Sequence, residues 1–258
     1  MIEFKDFSFS YNKRKVINNL NFSIVDNKIN VILGKNGTGK STLMKCITKI
    51  HKKYEGNILI DSIDIKKIKS KEYIKLISYL PQQILPSALT VFDTILLGRL
   101  AYSPIAYSQN DYRIVNKLLT DLNMEKFKNK SLDELSLGER QKVMILKSLA
   151  SDNKYLLLDE PTSSLDIENQ FEIMNLLKKL TLQLNKTIFI SIHDLNQAIN
   201  FGDNFLFISK DYRYKVCRKD EIDTDILQDM FSVKFKKLKD DNNNNIFIYG
   251  GEKWKSIY

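Results

Sequence analysis

Cysteine, glycine and proline are scarce in this chain, and long apolar runs are missing. The two cysteines, Cys46 and Cys217, stand far apart and neither belongs to a Cys-x-x-Cys pair. That excludes a disulfide framework or a zinc site and fits a reducing compartment. No window approaches the ~18 consecutive apolar residues of a membrane-spanning helix. The opening Met1-Ile2-Glu3-Phe4-Lys5 has no charged region followed by an apolar stretch. A cytoplasmic protein is expected, with any membrane business done through a partner. No dense basic tract accompanies the net charge of +9; the lysines are scattered, which reads as a solvated basic surface with no nucleic-acid partner expected. What is present is ordinary for a globular chain: 258 residues, 43% of them hydrophobic, enough for one large domain or two small ones.

The hydrophobic pattern predicts α/β alternation. Ile2, Phe4, Phe7 and Phe9 mark a short two-sided strand, and Asn21 to Val25 and Lys28 to Leu33 read as further strands. A helix is expected from Gly39 to about Ile50, then strands at Asn57–Ile60 and Ile77–Leu80. From Val91 to about Leu122 the chain turns helical, with amphipathic stretches at Val91–Arg99 and Asp111–Leu122. Glu139–Ala150 and Glu168–Leu184 read as helices, and Tyr155–Leu158 and Thr187–Ile192 as buried strands. Beyond Gly202 come short strands at Phe205–Ser209 and Tyr214–Cys217 and a short helix near Asp225–Met230. The last thirty residues read as a small flexible hairpin with an Asn-rich loop.

The sharpest motif is Gly34-Lys35-Asn36-Gly37-Thr38-Gly39-Lys40-Ser41, a phosphate-binding loop set between a strand and a helix. Glycines let backbone N–H groups approach phosphate oxygens, and the following helix adds its positive end. Lys40 then reaches the β- and γ-phosphates and Ser41 a magnesium ion. A second site is Tyr155-Leu156-Leu157-Leu158-Asp159-Glu160, an apolar strand ending in two adjacent acids. Neighbouring side chains at a strand end diverge, so Asp159 can help hold hydrated magnesium while Glu160 faces an attacking water. A third segment, Leu135-Ser136-Leu137-Gly138-Glu139-Arg140-Gln141, has two readings: Ser136 and Glu139 stand at capping-box spacing, and a capped helix start beside glycine is also an anion site.

Taken in order and spacing, the phosphate loop, Leu-Ser-x-Gly-Glu-Arg-Gln, Leu-Leu-Leu-Asp-Glu-Pro-Thr and Ile-Ser-Ile-His-Asp-Leu resemble the ATP-binding cassette (ABC) ATPases over roughly residues 1–210. The resemblance implies an α/β fold: a P-loop NTPase (RecA-like) core with an N-terminal antiparallel β subdomain and an inserted α-helical subdomain at about 85–150. It places a nucleotide-binding domain at 1–220 and a short extension at 221–258. The implied ligands are ATP and Mg2+. Nucleotide contacts come from Tyr11, which stacks on adenine, and from Gly34, Asn36, Gly37, Thr38, Gly39, Lys40, Ser41, Thr42 and Gln82. Ser41, Gln82 and Asp159 are the implied magnesium set, and Glu160, His193 and Lys40 the catalytic one. Ser136, Gly138 and Asp166 act across a dimer on ATP held by the other subunit. Two departures stand out: Leu137 where the family usually has glycine, and Glu139 where glutamine is commonest. His51, outside every motif, reads as a surface residue.

The resemblance also implies partners: a second copy of the chain, integral membrane permease subunits and, indirectly, an extracytoplasmic solute-binding protein. It implies a location on the inner face of the cell membrane. Within the family the chain is similar to the ATPase subunits of iron–siderophore, haem or cobalamin importers. The competing expectation is a non-transport ABC ATPase acting on nucleic acid, ribosomes or cluster assembly; neither a repeated cassette nor a heptad insertion supports it.

Overall fold

The computed structural model describes residues 1–83, 87–102, 105–163, 165–241 and 245–250. The chain forms two compact units, one of residues 1–67 with 189–258 and the other of residues 68–188. Among the described residues no helix is long and apolar enough to cross a membrane.

The first unit begins with β1 (Ile2–Tyr11) and β2 (Arg14–Ile24), an antiparallel pair with Ile2 opposite Ile24 and Phe4 opposite Phe22. After β3 (Ile29–Leu33) and α1 (Lys40–Ile47), β4 (Glu55–Ile60) joins the free side of β1 and β5 (Ile63–Asp64) closes a four-stranded sheet in the order β2-β1-β4-β5. Ile2, Phe4, Phe7 and Phe9 are all buried although the step from Phe4 to Phe7 breaks strict alternation. A register shift between Phe4 and Phe7 resolves this, with Asp6 in the left-handed region at φ 50°. Gly56 allows it, because a β-carbon there would lie 2.3 Å from the Asp6 carbonyl oxygen.

The second unit carries α2 (Ser70–Tyr73), β6 (Ile77–Leu80), α3 (Val91–Leu96, running into a 3-10 turn at Leu97–Ala101), α4 (Gln109–Asp121), α5 (Leu137–Ala150), β7 (Tyr155–Asp159) and α6 (Ile167–Leu184). β6 and β7 run parallel, Leu80 opposite Leu158, and α3 to α5 form the crossover between them. Gly98 lets the 3-10 turn sit on α5: a β-carbon there would come 2.2 Å from the Lys147 carbonyl oxygen. Arg99, buried beside it, donates to Asp111 (2.7 Å) and to the Ala150 carbonyl (2.8 Å), which fastens α4 and the end of α5 to the turn.

β8 (Thr187–Ser191) carries the chain back into the first unit, where α7 (Leu195–Phe201), β9 (Asn204–Ile208), β10 (Tyr214–Arg218), α8 (Thr224–Phe231), β11 (Phe235–Lys239) and β12 (Asn245–Tyr249) follow. β9 pairs in parallel with β3 and antiparallel with β10. β11 and β12 form the expected hairpin, whose loop residues 242–244 lie outside the described set. Its second strand is docked on α7. The Asn196 amide donates to the Phe247 carbonyl (3.0 Å) and accepts from the Phe247 N–H (2.9 Å), and the Phe247 ring is buried. The described residues between 221 and 250 therefore belong to the first unit, and the described helical residues between 87 and 150 to the second.

Candidate functional site

In the first unit, buried β3 ends at Leu33 and releases the loop Gly34–Gly39 into α1. Gly37 and Gly39 take φ of 82° and 102°, conformations that side chains resist. Gly39 is also the N-cap of α1, so no side chain covers the first-turn amides. A β-carbon on Gly34 would lie 2.4 Å from the Ile208 carbonyl oxygen and 2.7 Å from Thr38 Oγ1, which leaves only glycine at the loop's entry. Thr38, buried, ties the loop by donating to the Lys35 carbonyl at 3.0 Å. Lys40, also buried, bends its ammonium back to the Gly34 carbonyl at 2.9 Å and the Lys35 carbonyl at 3.5 Å. Asn36 and Gly37 are exposed at the tip and Ser41 is half-buried. A glycine-rich loop, an uncapped helix start and an ammonium held on the loop's own carbonyls fit a polyphosphate.

Tyr11 ends β1 with its side chain 44% exposed. Its hydroxyl lies 3.3 Å from Thr42 Oγ1 in α1 and 2.8 Å from His51 Nε2. His51 was read as an unassigned surface residue; it is half-buried and in contact with a predicted site residue. Only the tertiary approach of β1 to the segment after α1 reveals that pairing. His193 stands exposed two residues past β8, and Asp194 beside it caps α7 through the Gln197 N–H at 2.6 Å.

In the second unit every residue of β7 is buried, and Asp159 and Glu160 are 2% and 8% exposed. Glu160 adopts φ 51°, a left-handed geometry rare outside glycine. Ser163 holds that turn, its hydroxyl donating to the Glu160 carbonyl at 3.1 Å. The Gln82 amide, just past β6, donates to Glu160 Oε2 at 2.6 Å; of the adjacent glutamines, Gln82 makes this bond. The Tyr79 hydroxyl donates to Asp159 Oδ2 at 3.3 Å, and burial, reinforced by the Asp159 charge, raises the phenol well above its ordinary value. Tyr79 was missed from sequence. Its one signal is a strand-borne tyrosine on β6, whose neighbour β7 ends in the acids.

Ser136 is the N-cap of α5 in a full capping box: the Glu139 carboxylate accepts from the Ser136 N–H (2.8 Å) and hydroxyl (2.9 Å). Leu137 is 44% exposed, so its side chain stands out in solvent. The position that demands glycine is Gly138, where a β-carbon would come 2.7 Å from Asn169 Oδ1. Asn169 in turn donates through both its backbone N–H and its side-chain amide to Asp166 Oδ1, each at 2.9 Å, so Asp166 caps α6. Ser164 lies outside the described residues.

A model of the ABC transporter family matches residues 17–163, more than half of the chain, and the chain belongs to that family. It is an ATPase, built on the family's P-loop cassette. The petrobactin import ATP-binding protein YclP of Bacillus subtilis is 34% identical over 251 residues, spanning 96% of this chain and 99% of that one. Among solved structures, one described as an inward-facing metal-chelate type ABC transporter superposes with a TM-score of 0.84 at 26% identity, covering 98% of both chains. A dimeric bacterial ABC transporter cassette superposes with a TM-score of 0.70 at 30% identity, over 83% of this chain and 98% of that one.

Proposed function

We propose that this chain is the ATP-hydrolysing subunit of an importer, working as an ATP-bridged homodimer on a separate membrane permease at the cytoplasmic face. The proposed cargo is an iron chelate of the siderophore type, with haem or cobalamin as the other candidates. The petrobactin relative and the metal-chelate transporter support that cargo, and the dimeric cassette supports the pairing. An extracytoplasmic solute-binding protein would deliver the cargo to the permease. Residues 1–220 form the nucleotide-binding domain in this reading, with 221–258 as its extension.

Tyr11 stacks on the adenine, and the amides of Gly34, Asn36, Gly37, Thr38, Gly39, Lys40, Ser41 and Thr42 receive the phosphates. The Lys40 ammonium exchanges its carbonyl partners for β- and γ-phosphate oxygens. Ser41, Gln82 and Asp159 would hold magnesium, which supplies charge neutralisation on the phosphate oxygens. Glu160 takes a proton from water as its oxygen bonds to the γ-phosphorus; the bond to the bridging oxygen breaks and ADP leaves with that electron pair. His193 orients the water, while Ser136 and Gly138 of the second copy, with its Asp166 loop, close over the γ-phosphate.

The observation that carries this reading is Glu160 itself: a buried carboxylate in a strained left-handed conformation, aimed by an amide from another strand end. The test is Glu160→Gln beside Lys40→Ala. The first should keep ATP affinity, lower phosphate release by about 10²–10⁴-fold and shift the chain to dimer with ATP in light scattering. The second should lose ATP affinity. Wild-type turnover in Glu160→Gln would overturn the assignment, and failure of a polytopic membrane protein to co-purify in detergent would count against the importer.

A further inference from the structure

Thr42 in the first turn of α1 and His51 beyond its last both reach the Tyr11 hydroxyl. The nearer partner by 0.5 Å is His51 Nε2, at 2.8 Å against 3.3 Å for Thr42. His51 is held by two further contacts. Its backbone N–H donates to the Lys45 carbonyl of α1 at 3.0 Å, and its ring lies against buried Phe9, centroids 5.2 Å apart at 34°. Phe9 also meets Tyr11 edge-on at 4.8 Å, so the phenol ring is braced along one edge while much of its surface stays open. Partial burial and the Lys45 charge lower the imidazole's proton affinity, which keeps it neutral at physiological pH.

We infer that His51 is a positioning residue for the nucleotide: its hydrogen bond to Tyr11 locks the base-stacking ring to α1, the helix whose start holds the phosphates. Adenine and triphosphate are then recognised at a fixed spacing from one rigid element, and ordering the ring before ATP arrives removes an entropic cost of binding. This rests on the reading of Tyr11 as the adenine platform.

Titration calorimetry of the full chain with MgATP and, separately, with magnesium tripolyphosphate separates the two. His51→Ala should weaken MgATP by roughly 3- to 10-fold, the worth of one hydrogen bond, and leave tripolyphosphate affinity unchanged. It should raise KM without changing kcat. His51→Gln, whose amide can reach the phenol, should recover most of the loss. Tyr11→Phe should match His51→Ala, and the double variant should be no worse than either. Equal losses for both ligands would mean that His51 merely supports α1, and no loss for either would remove the positioning role. Tyr11→Ala keeps the two ideas apart. If it binds MgATP like wild type, the adenine platform itself fails; if it weakens MgATP while His51→Ala does not, only this inference fails.

Discussion

Gly138→Ala would test how tightly the start of α5 is coupled to the Asp166 turn. The backbone at 138 is helical with an ordinary φ, so alanine is conformationally welcome and gains about 0.5–1 kcal/mol over glycine in a helix. The new methyl would nevertheless lie 2.7 Å from Asn169 Oδ1 and 2.8 Å from its Cγ. The asparagine side chain can rotate away, but only by giving up its amide bond to Asp166 Oδ1. That bond is worth about 0.5–1.5 kcal/mol, while the backbone half of the cap, from the Asn169 N–H, survives. The two terms nearly cancel, so global stability should stay within about 1 kcal/mol, a shift of at most about 4 °C in Tm. Turnover should not be spared: a loosened Asp166 turn costs up to the same 1.5 kcal/mol in the proposed closed dimer, up to about 10-fold in phosphate release. Asn169→Ala should reproduce the loss, and the double variant should lose no more than either single change. Steady-state phosphate release and thermal unfolding on the four proteins decide it. Additive losses, or a fully active Asn169→Ala beside an impaired Gly138→Ala, would refute the coupling.

Asp111→Ala strands the buried Arg99 guanidinium and removes the acceptor for the Ser108 N–H and hydroxyl. Urea unfolding should show about 3–5 kcal/mol of destabilisation, and the apolar pair Arg99→Met/Asp111→Leu should be less damaging. Burial pushes the Cys46 thiol up to about 12 from 9.0, so the folded state favours the protonated form. Stability from this site is complete below pH 9 and falls as pH climbs from 9 toward 12, and native Cys46 should resist a thiol reagent at pH 8 that labels the unfolded chain. Tyr79→Phe removes the long bond to Asp159; the magnesium concentration for half-maximal turnover should rise about 2- to 5-fold with saturated turnover unchanged.

Much of the fold was legible because buried strands and amphipathic helices announce themselves by period. Ile77–Leu80 was read with the bounds it has, and α5 and α6 were each placed within two residues at their starts. β2 was read only from Asn21 because Arg14 to Leu20 alternates against the bulged β1, where register shifts hide the period. The helix α7 was missed: its seven residues are too few for a 3.6-residue pattern to stand out. Motif residues were proposed from spacing, since glycine, lysine and acid types are what phosphate chemistry demands. Partners brought by tertiary contact could not. Tyr79, His51 and Asn169 carry no motif, and each shows its part only through the atom it touches. The anchoring of the terminal hairpin was equally invisible, because it rests on tertiary contacts: the Asn196 amide on Phe247, the buried Phe247 ring and the Phe231–Phe235 ring pair.

The placement of these residues divides the work between the two units. In the proposed mechanism, base and phosphate recognition both attach to α1 of the first unit: Lys40 and Thr42 lie in it, Tyr11 bonds to Thr42, and His51 hangs from its last turn. In the second, Glu160 is aimed by Gln82, and Ser136, Gly138, Asn169 and Asp166 form one chain of contacts from α5 to α6. Substitutions in the first set therefore act on a bound ground state and move affinity and KM. Those in the second act on the groups proposed to engage the attacking water, so they should move turnover at unchanged affinity. Gln82 belongs to the second set despite its proposed place near the metal, because the bond it makes here is to Glu160, the proposed base.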